Sequence, residues 1–236
     1  MRMTELRSFT PARVALGRSG NGLPTAELLD FQLAHARARD AVHDPLDARA
    51  LGRELALRGW PSVVVKSAAR DRAMYLRRPD LGRRLADPEA LSGLGRARLA
   101  VVLGDGLSPR AVATHAVPLL EALIPRLDRT PALVIVEQGR VAIGDEIGER
   151  LGAELVVVLI GERPGLTSPD SLGAYVTWSP KPGRTDAERN CVSNIRAEGL
   201  APAAAAELLY VLIEAARTRR LTGVNLKVDA KGLPGA

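Results

Sequence analysis

The run Leu155-Val156-Val157-Val158-Leu159-Ile160 is the most apolar stretch of the chain, and it carries no polar alternation. A strand with one wet face alternates apolar and polar residues. A strand apolar at every position is covered on both sides, as in a parallel sheet with helices on each face. Ala100-Val101-Val102-Leu103 repeats the pattern. From Trp60 onward, strand-like runs at 62–66, 99–103, 132–137, 154–160 and 173–178 alternate with helical patterns at 70–77, 109–126, 142–151, 186–196 and 201–220. This alternation predicts an α/β fold with an open, mostly parallel sheet and flanking helices. Residues 5–24 are rich in Arg, Gly and Pro and read as irregular. A helix then opens at Pro24-Thr25 and runs to about Val42, and a second spans 47–58 and stops at Gly59, giving a helical N-terminal arm. The tail 228–236 reads as frayed.

Charge decides less than it first suggests. The net charge is +6, but lysine occurs only at Lys66, Lys181, Lys227 and Lys231, acids are interleaved throughout, and no block of five like charges appears. Aromatics make up 3%, too few for the rings on which single-stranded nucleic acids stack. Nucleic-acid binding therefore ranks last, behind a solvated arginine-rich surface and arginines that face an acidic partner or a phosphate-bearing ligand. The single cysteine, Cys191, excludes disulfides and zinc pairs and points to a reducing compartment. The N-terminus lacks an apolar signal core, and the longest apolar run is too short to span a bilayer, so a cytosolic location is expected.

Several strand-end segments carry chemistry. Gly104-Asp105-Gly106-Leu107-Ser108-Pro109 joins a strand to a helix that starts with a serine cap and a proline. Its glycines suit close approach to a phosphate, but Pro109 stands where a dinucleotide fingerprint needs its third glycine, so a plain tight turn is the stronger reading. Arg70 and Arg72 flank Asp71 after the strand at 62–66, and a surface ion pair slightly outweighs an anion site there. His35, His43 and His115 form no ligand-spaced pair, and no Asp-x-His-x-x-Gly motif occurs. Glu162, one glycine beyond the apolar run, must reach water, an arginine such as Arg163, or a ligand donor. Cys191 has no nearby base, which favours an inert or ligand-contacting thiol over a nucleophile.

Across these segments the chain resembles the small subunit of ethanolamine ammonia-lyase. The likeness runs from Leu23-Pro24-Thr25 and Asp30-Phe31-Gln32 through Arg70-Asp71-Arg72, Tyr75-Leu76-Arg77-Arg78-Pro79-Asp80-Leu81-Gly82-Arg83 and Gly104-Asp105-Gly106-Leu107-Ser108. It continues through Gly139-Arg140-Val141, Gly161-Glu162-Arg163-Pro164-Gly165-Leu166 and Arg189-Asn190-Cys191-Val192-Ser193-Asn194-Ile195. Val192 stands where the family often has isoleucine, and the stretch before the first helix is shorter than in some members. The resemblance implies a Rossmann-like domain over 60–227, with residues 1–59 contacting a large barrel subunit and 228–236 as a flexible tail. It implies adenosylcobalamin held base-on between the two subunits, with Val141, Glu162 and Cys191 as its contacts here, and no catalytic residue in this chain. The implied reaction is radical deamination of ethanolamine to acetaldehyde and ammonia, in the cytoplasm or inside a bacterial microcompartment. A non-catalytic nucleotide- or phosphate-binding module using Gly104–Ser108 is the competing expectation.

Overall fold

The computed structural model describes residues 7–10 and 12–227; the expected tail at 228–236 lies outside the described residues. Two helices, α1 (Thr25–His43) and α2 (Ala48–Leu57), precede β1 (Ser62–Lys66) and the short α3 (Arg72–Arg77). There follow β2 (Leu99–Gly104), α4 (Pro109–Leu123), β3 (Ala132–Glu137), α5 (Ile143–Arg150), β4 (Leu155–Gly161), β5 (Leu172–Trp178), β6 (Arg189–Ile195) and α6 (Pro202–Arg219). Among the described residues, no helix is long and apolar enough to cross a membrane.

The six strands form one sheet in the order β1-β3-β2-β4-β5-β6. β1, β3, β2 and β4 pair in parallel, whereas β5 and β6 run antiparallel to their neighbours. Connection length explains the reversal. A parallel return needs a crossover of roughly a dozen residues or more, usually a helix, and the helix-free link 162–171 is too short, so β5 turns straight back on β4.

β2 and β4 are buried at every position, as their unbroken apolar runs predict. Alternate residues serve the two faces. Val101, Leu103, Leu133, Ile135, Val157 and Leu159 pack in the cluster that holds side chains of α2, α4 and α6. Val102, Val134, Val136, Val156, Val158 and Ile160 pack with Ile143 and Ile147 of α5. Each such side chain contributes about 1.5–3 kcal/mol on burial, so this two-sided core holds without a disulfide. The helix starts follow local chemistry. Asp47, Asp71 and Ser108 accept hydrogen bonds from Ala50, Met74 and Ala111 at the heads of α2, α3 and α4, and Pro109 occupies the first position of α4.

The helix expected over 186–196 does not exist. A single 3-10 turn, Asp186–Glu188, is followed by strand β6. The buried positions of β6 are Arg189, Val192 and Ile195, a spacing of three that also suits a helix. In the structure that spacing comes from a bulge: Leu172 pairs with Ile195 and Ala174 with Val192, so Gly173 of β5 faces two residues of β6, Ser193 and Asn194, and Asn194 takes φ 58°. Asparagine tolerates this left-handed conformation better than most side chains.

One buried ion pair fastens this outer strand to α5. Arg189 donates to both carboxylate oxygens of Asp145 at 2.7 Å, to the Thr177 hydroxyl at 2.9 Å and to the Arg184 carbonyl at 3.0 Å. The Arg189 and Asp145 side chains are 2% and 1% exposed, so the pair is out of reach of water. Asp145→Ala would strand a buried guanidinium and should cost about 3–5 kcal/mol in urea unfolding. The double variant Asp145→Leu/Arg189→Met should recover most of that loss. Equal destabilisation of both variants would show that packing volume, not pairing, sets the cost.

Candidate functional site

The connections leaving β1 and β3 pack on one face of the sheet, while α4, leaving β2, packs on the other. Such a change of side opens a crevice at the carboxyl ends of the strands, where open α/β sheets hold their ligands. Here that edge bears a crevice of about 240 Å³, lined by Tyr75, Gly106, Arg140, Val141, Glu162 and Tyr175 among others. A neighbouring hollow of about 440 Å³ shares Arg140 and Val141 with it. A third hollow, also about 440 Å³, opens at the opposite edge of the sheet beside Gly59, Leu99 and Ala132, and none of the three expected contact residues lines it.

The loops around the crevice are held by Asp105, which is 2% exposed. Its carboxylate accepts the backbone N–H of Gln138 and of Gly139, both at 2.9 Å, tying the end of β2 to the loop that carries Arg140 and Val141. Arg72 closes the same knot. It donates to the carbonyls of Val42 at 2.7 Å and Gly106 at 2.8 Å, meets the Gln138 side chain at 3.4 Å, and lies 3.6 Å from Asp105. Arg72 and Arg140 also flank the Tyr75 ring, at 4.7 and 4.2 Å from its centroid. Burial raises the Tyr75 hydroxyl pKa, and that hydroxyl donates to the Gly139 carbonyl. The surface ion pair expected near Asp71 is formed by Arg70 alone, at 3.3 Å.

Val141 is half-buried, just ahead of α5, and faces both adjoining hollows. Glu162 follows β4 and, among the described residues, forms no ion pair with Arg163 or any other arginine. One of its oxygens, Oε2, accepts the Ser171 hydroxyl at 2.5 Å and the Asn194 N–H at 3.3 Å. The other, Oε1, lies against Gly173 and accepts no hydrogen bond among the described residues. Cys191 is exposed on β6, opposite Tyr175, and so stands one strand beyond the crevice wall. Desolvation, reinforced by the Glu162 charge, raises its pKa despite a hydrogen bond with Tyr175. The sulfur is therefore a neutral thiol at physiological pH. The structure thus brings Val141 and Glu162 to one crevice and sets Cys191 beside it.

Two donors of the segment Gly104–Ser108 are already engaged within the chain. Gly106 and Gly161 pack so tightly that a β-carbon on either would strike the other's loop, and the Leu107 N–H is donated to the Gly161 carbonyl at 2.9 Å. Ser108 is fully buried and donates to the Pro169 carbonyl at 2.8 Å. The Leu107 N–H and the Ser108 hydroxyl are thereby committed to the 161–171 loop, and neither remains as a donor for the phosphate of the nucleotide-module expectation. His115 lies under the same loop, 3.3 Å from Asp170.

Sequence reasoning missed Asp105 and Tyr175, and it placed Arg72 in a surface ion pair or anion site and not in the knot around Asp105. Asp105 carried the same signal as Glu162, a carboxylate placed directly behind an apolar strand. Tyr175 carried none, because its place depends on the opposite strand, and the role of Arg72 was hidden because its partners lie 30 or more residues away.

The family model for the ethanolamine ammonia-lyase light chain matches residues 1–227. The chain is 55% identical over 240 residues to an ethanolamine ammonia-lyase small subunit from Azotobacter vinelandii, covering 96% of this chain and 88% of that one. It is 54% identical over 239 residues to the small subunit named from Pseudomonas fluorescens, with 96% and 86% covered. Against the protein of the same name from Pseudomonas paraeruginosa the identity is 55% over 239 residues, with 96% and 87% covered.

Burial pushes the Asp105 carboxyl up to about 6, against the pull of the backbone N–H donors and Arg72. Its folded pKa then exceeds the unfolded value, so its contribution to stability is fully present below about pH 4 and is lost as pH rises through 6. The unfolding free energy of wild type relative to that of Asp105→Asn, measured from pH 4 to 7, should therefore fall by roughly 2–3 kcal/mol as pH rises. A constant difference would mean that the amide donors keep the carboxylate ionised throughout.

Proposed function

The chain belongs to the ethanolamine ammonia-lyase light-chain family, and from that premise we propose that it is the cofactor-holding subunit of a heteromeric enzyme, binding adenosylcobalamin against a large barrel subunit. The observation that carries this reading is the meeting of Val141 and Glu162 on one crevice, with Cys191 just beyond Tyr175. Polar atoms without partners support it. Glu162 Oε1 accepts nothing among the described residues, and the Arg140 Nε is buried with no acceptor. Size supports it too. A crevice of about 240 Å³ falls below the ~300–1,000 Å³ that encloses an ordinary ligand, so this chain offers one wall for a corrin and leaves the other to a second subunit.

In this reading, Glu162 accepts hydrogen bonds from amide side chains of the corrin, Val141 gives apolar contact, and the Cys191 thiol offers a small neutral surface. Bound adenosylcobalamin would supply the radical chemistry that deaminates ethanolamine to acetaldehyde and ammonia. The chain's own part is to bind, orient and shield, and no residue of it is assigned a catalytic role. In this reading residues 60–227, with four parallel strands and the change of side at β2, form the Rossmann-like domain. Residues 1–59 face the large subunit, which fits the exposure of Leu29 (58%) and Leu33 (49%) on α1. The complex works in the cytoplasm, with enclosure in a bacterial microcompartment as the variant to test.

The reading is tested by reconstitution. The chain alone should show no lyase activity, and a matching large subunit with adenosylcobalamin should restore turnover; turnover by the isolated chain would refute the division of labour. In the assembled complex, Glu162→Ala should cost roughly 1–3 kcal/mol of cofactor binding, a ten- to hundredfold weaker dissociation constant, with little change in the KM for ethanolamine. An unchanged cofactor constant would confine Glu162 to holding Ser171 and Asn194. Cys191→Ser should keep a substantial fraction of kcat, and a loss of several orders of magnitude in an intact complex would make the thiol chemically necessary.

A further inference from the structure

The hollow beside the crevice is lined by Arg83, Arg140, Arg184 and Arg189, with Asp186 as its one acid. Two of these guanidinium groups are already neutralised. Arg189 is paired with Asp145, and Arg184 with Glu188. Asp186 is fully exposed and reaches only the Arg189 Nε, at 3.6 Å. The other two have no counter-charge. The Arg83 side chain forms no hydrogen bond or ion pair among the described residues. Arg140 donates to the Tyr75 carbonyl at 3.3 Å and stacks on the Tyr75 ring, but its Nε is buried with no acceptor. A concave surface with two uncompensated guanidinium groups suits an anion with several oxygens, to which these forked donors give charge-assisted hydrogen bonds.

The place of the hollow says which anion. It shares Arg140 and Val141 with the crevice, so a ligand that fills both hollows across Val141 has Glu162 at one end and Arg83 at the other. The two ends differ in character: a carboxylate that accepts hydrogen bonds lies at one, and guanidinium groups that donate them at the other. The corrin's periphery carries neutral amides, which suit the first end. The cofactor's nucleotide tail carries a phosphodiester, which suits the second. Resting on the adenosylcobalamin reading above, we infer that Arg83 and Arg140 receive the phosphodiester of that tail.

The test compares two corrinoids on the assembled two-subunit complex, each titrated by its absorption spectrum: cobalamin, and cobinamide, which lacks the nucleotide tail and its phosphate. Arg83→Ala should weaken cobalamin about ten- to hundredfold and leave cobinamide within about threefold. Arg83→Lys, which keeps the charge, should recover part of the loss. Arg140→Gln should act in the same direction, with the unfolding midpoint checked because Arg140 also packs on Tyr75. An unchanged ratio of the two affinities in Arg83→Ala overturns the assignment, as does equal weakening of both corrinoids. If Glu162→Ala weakens both corrinoids while Arg83→Ala weakens neither, the crevice reading stands and the arginine assignment alone falls. If the wild-type complex binds neither corrinoid, the crevice reading itself fails and takes this one with it.

Discussion

The Asp105 carboxylate is the point on which the site's geometry turns. Its two oxygens accept from consecutive amides, those of Gln138 and Gly139, and so fix the path of the β3–α5 loop at the moment it leaves the sheet. Gln138 sits at φ 61°, a conformation that a residue with a β-carbon seldom adopts. The conformation is affordable because the N–H of Gln138 is held by Asp105 and its side chain meets Arg72. Arg140 and Val141 follow within three residues, so their aim is set by a carboxylate on a different strand. Arg72 extends the same control to the end of α1 through the Val42 carbonyl.

A second lock acts on the opposite wall. Ser171 and the Asn194 amide hold one oxygen of Glu162, Ser108 grips Pro169, and Asp170 meets His115. The long β4–β5 connection is thus tied to α4 on one side and to β6 on the other. The crevice between these walls is framed by hydrogen bonds made within the chain, while Glu162 Oε1, the Arg140 Nε and Arg72 Nη2 make no hydrogen bond among the described residues. Groups that the fold itself does not satisfy are the ones free to recognise something else.

Much of this was legible in the residues. Unbroken apolar runs located β2 and β4 and implied helices on both faces, and the serine–proline start of α4 stands where it was expected. What could not be read was anything fixed by pairing across the sheet. The antiparallel return of β5 follows from a connection that lacks a helix, and the strand nature of β6 was masked by its spacing of three. Val141, Glu162 and Cys191 were joined only by the family resemblance; the first two line one crevice, whereas the position of Cys191 depends on which strand lies beside β5. Asp105 by itself follows an apolar strand as Glu162 does, but its knot with Arg72 joins segments 30 or more residues apart, and that pairing leaves no local pattern to find.

The bulge in β6 has a consequence for the thiol. Side chains on a strand change face with every residue, so one extra residue inverts the sidedness of all that lies beyond it. Between Val192 and Ile195 the bulge absorbs such an inversion, which allows both to point into the core while Cys191 stays on the Tyr175 side. The same distortion turns the Asn194 amide towards Glu162. Deleting one residue there would force a choice between burying Ile195 and keeping the Asn194–Glu162 bond, so an irregularity at the rim of the sheet decides whether the carboxylate remains where it is.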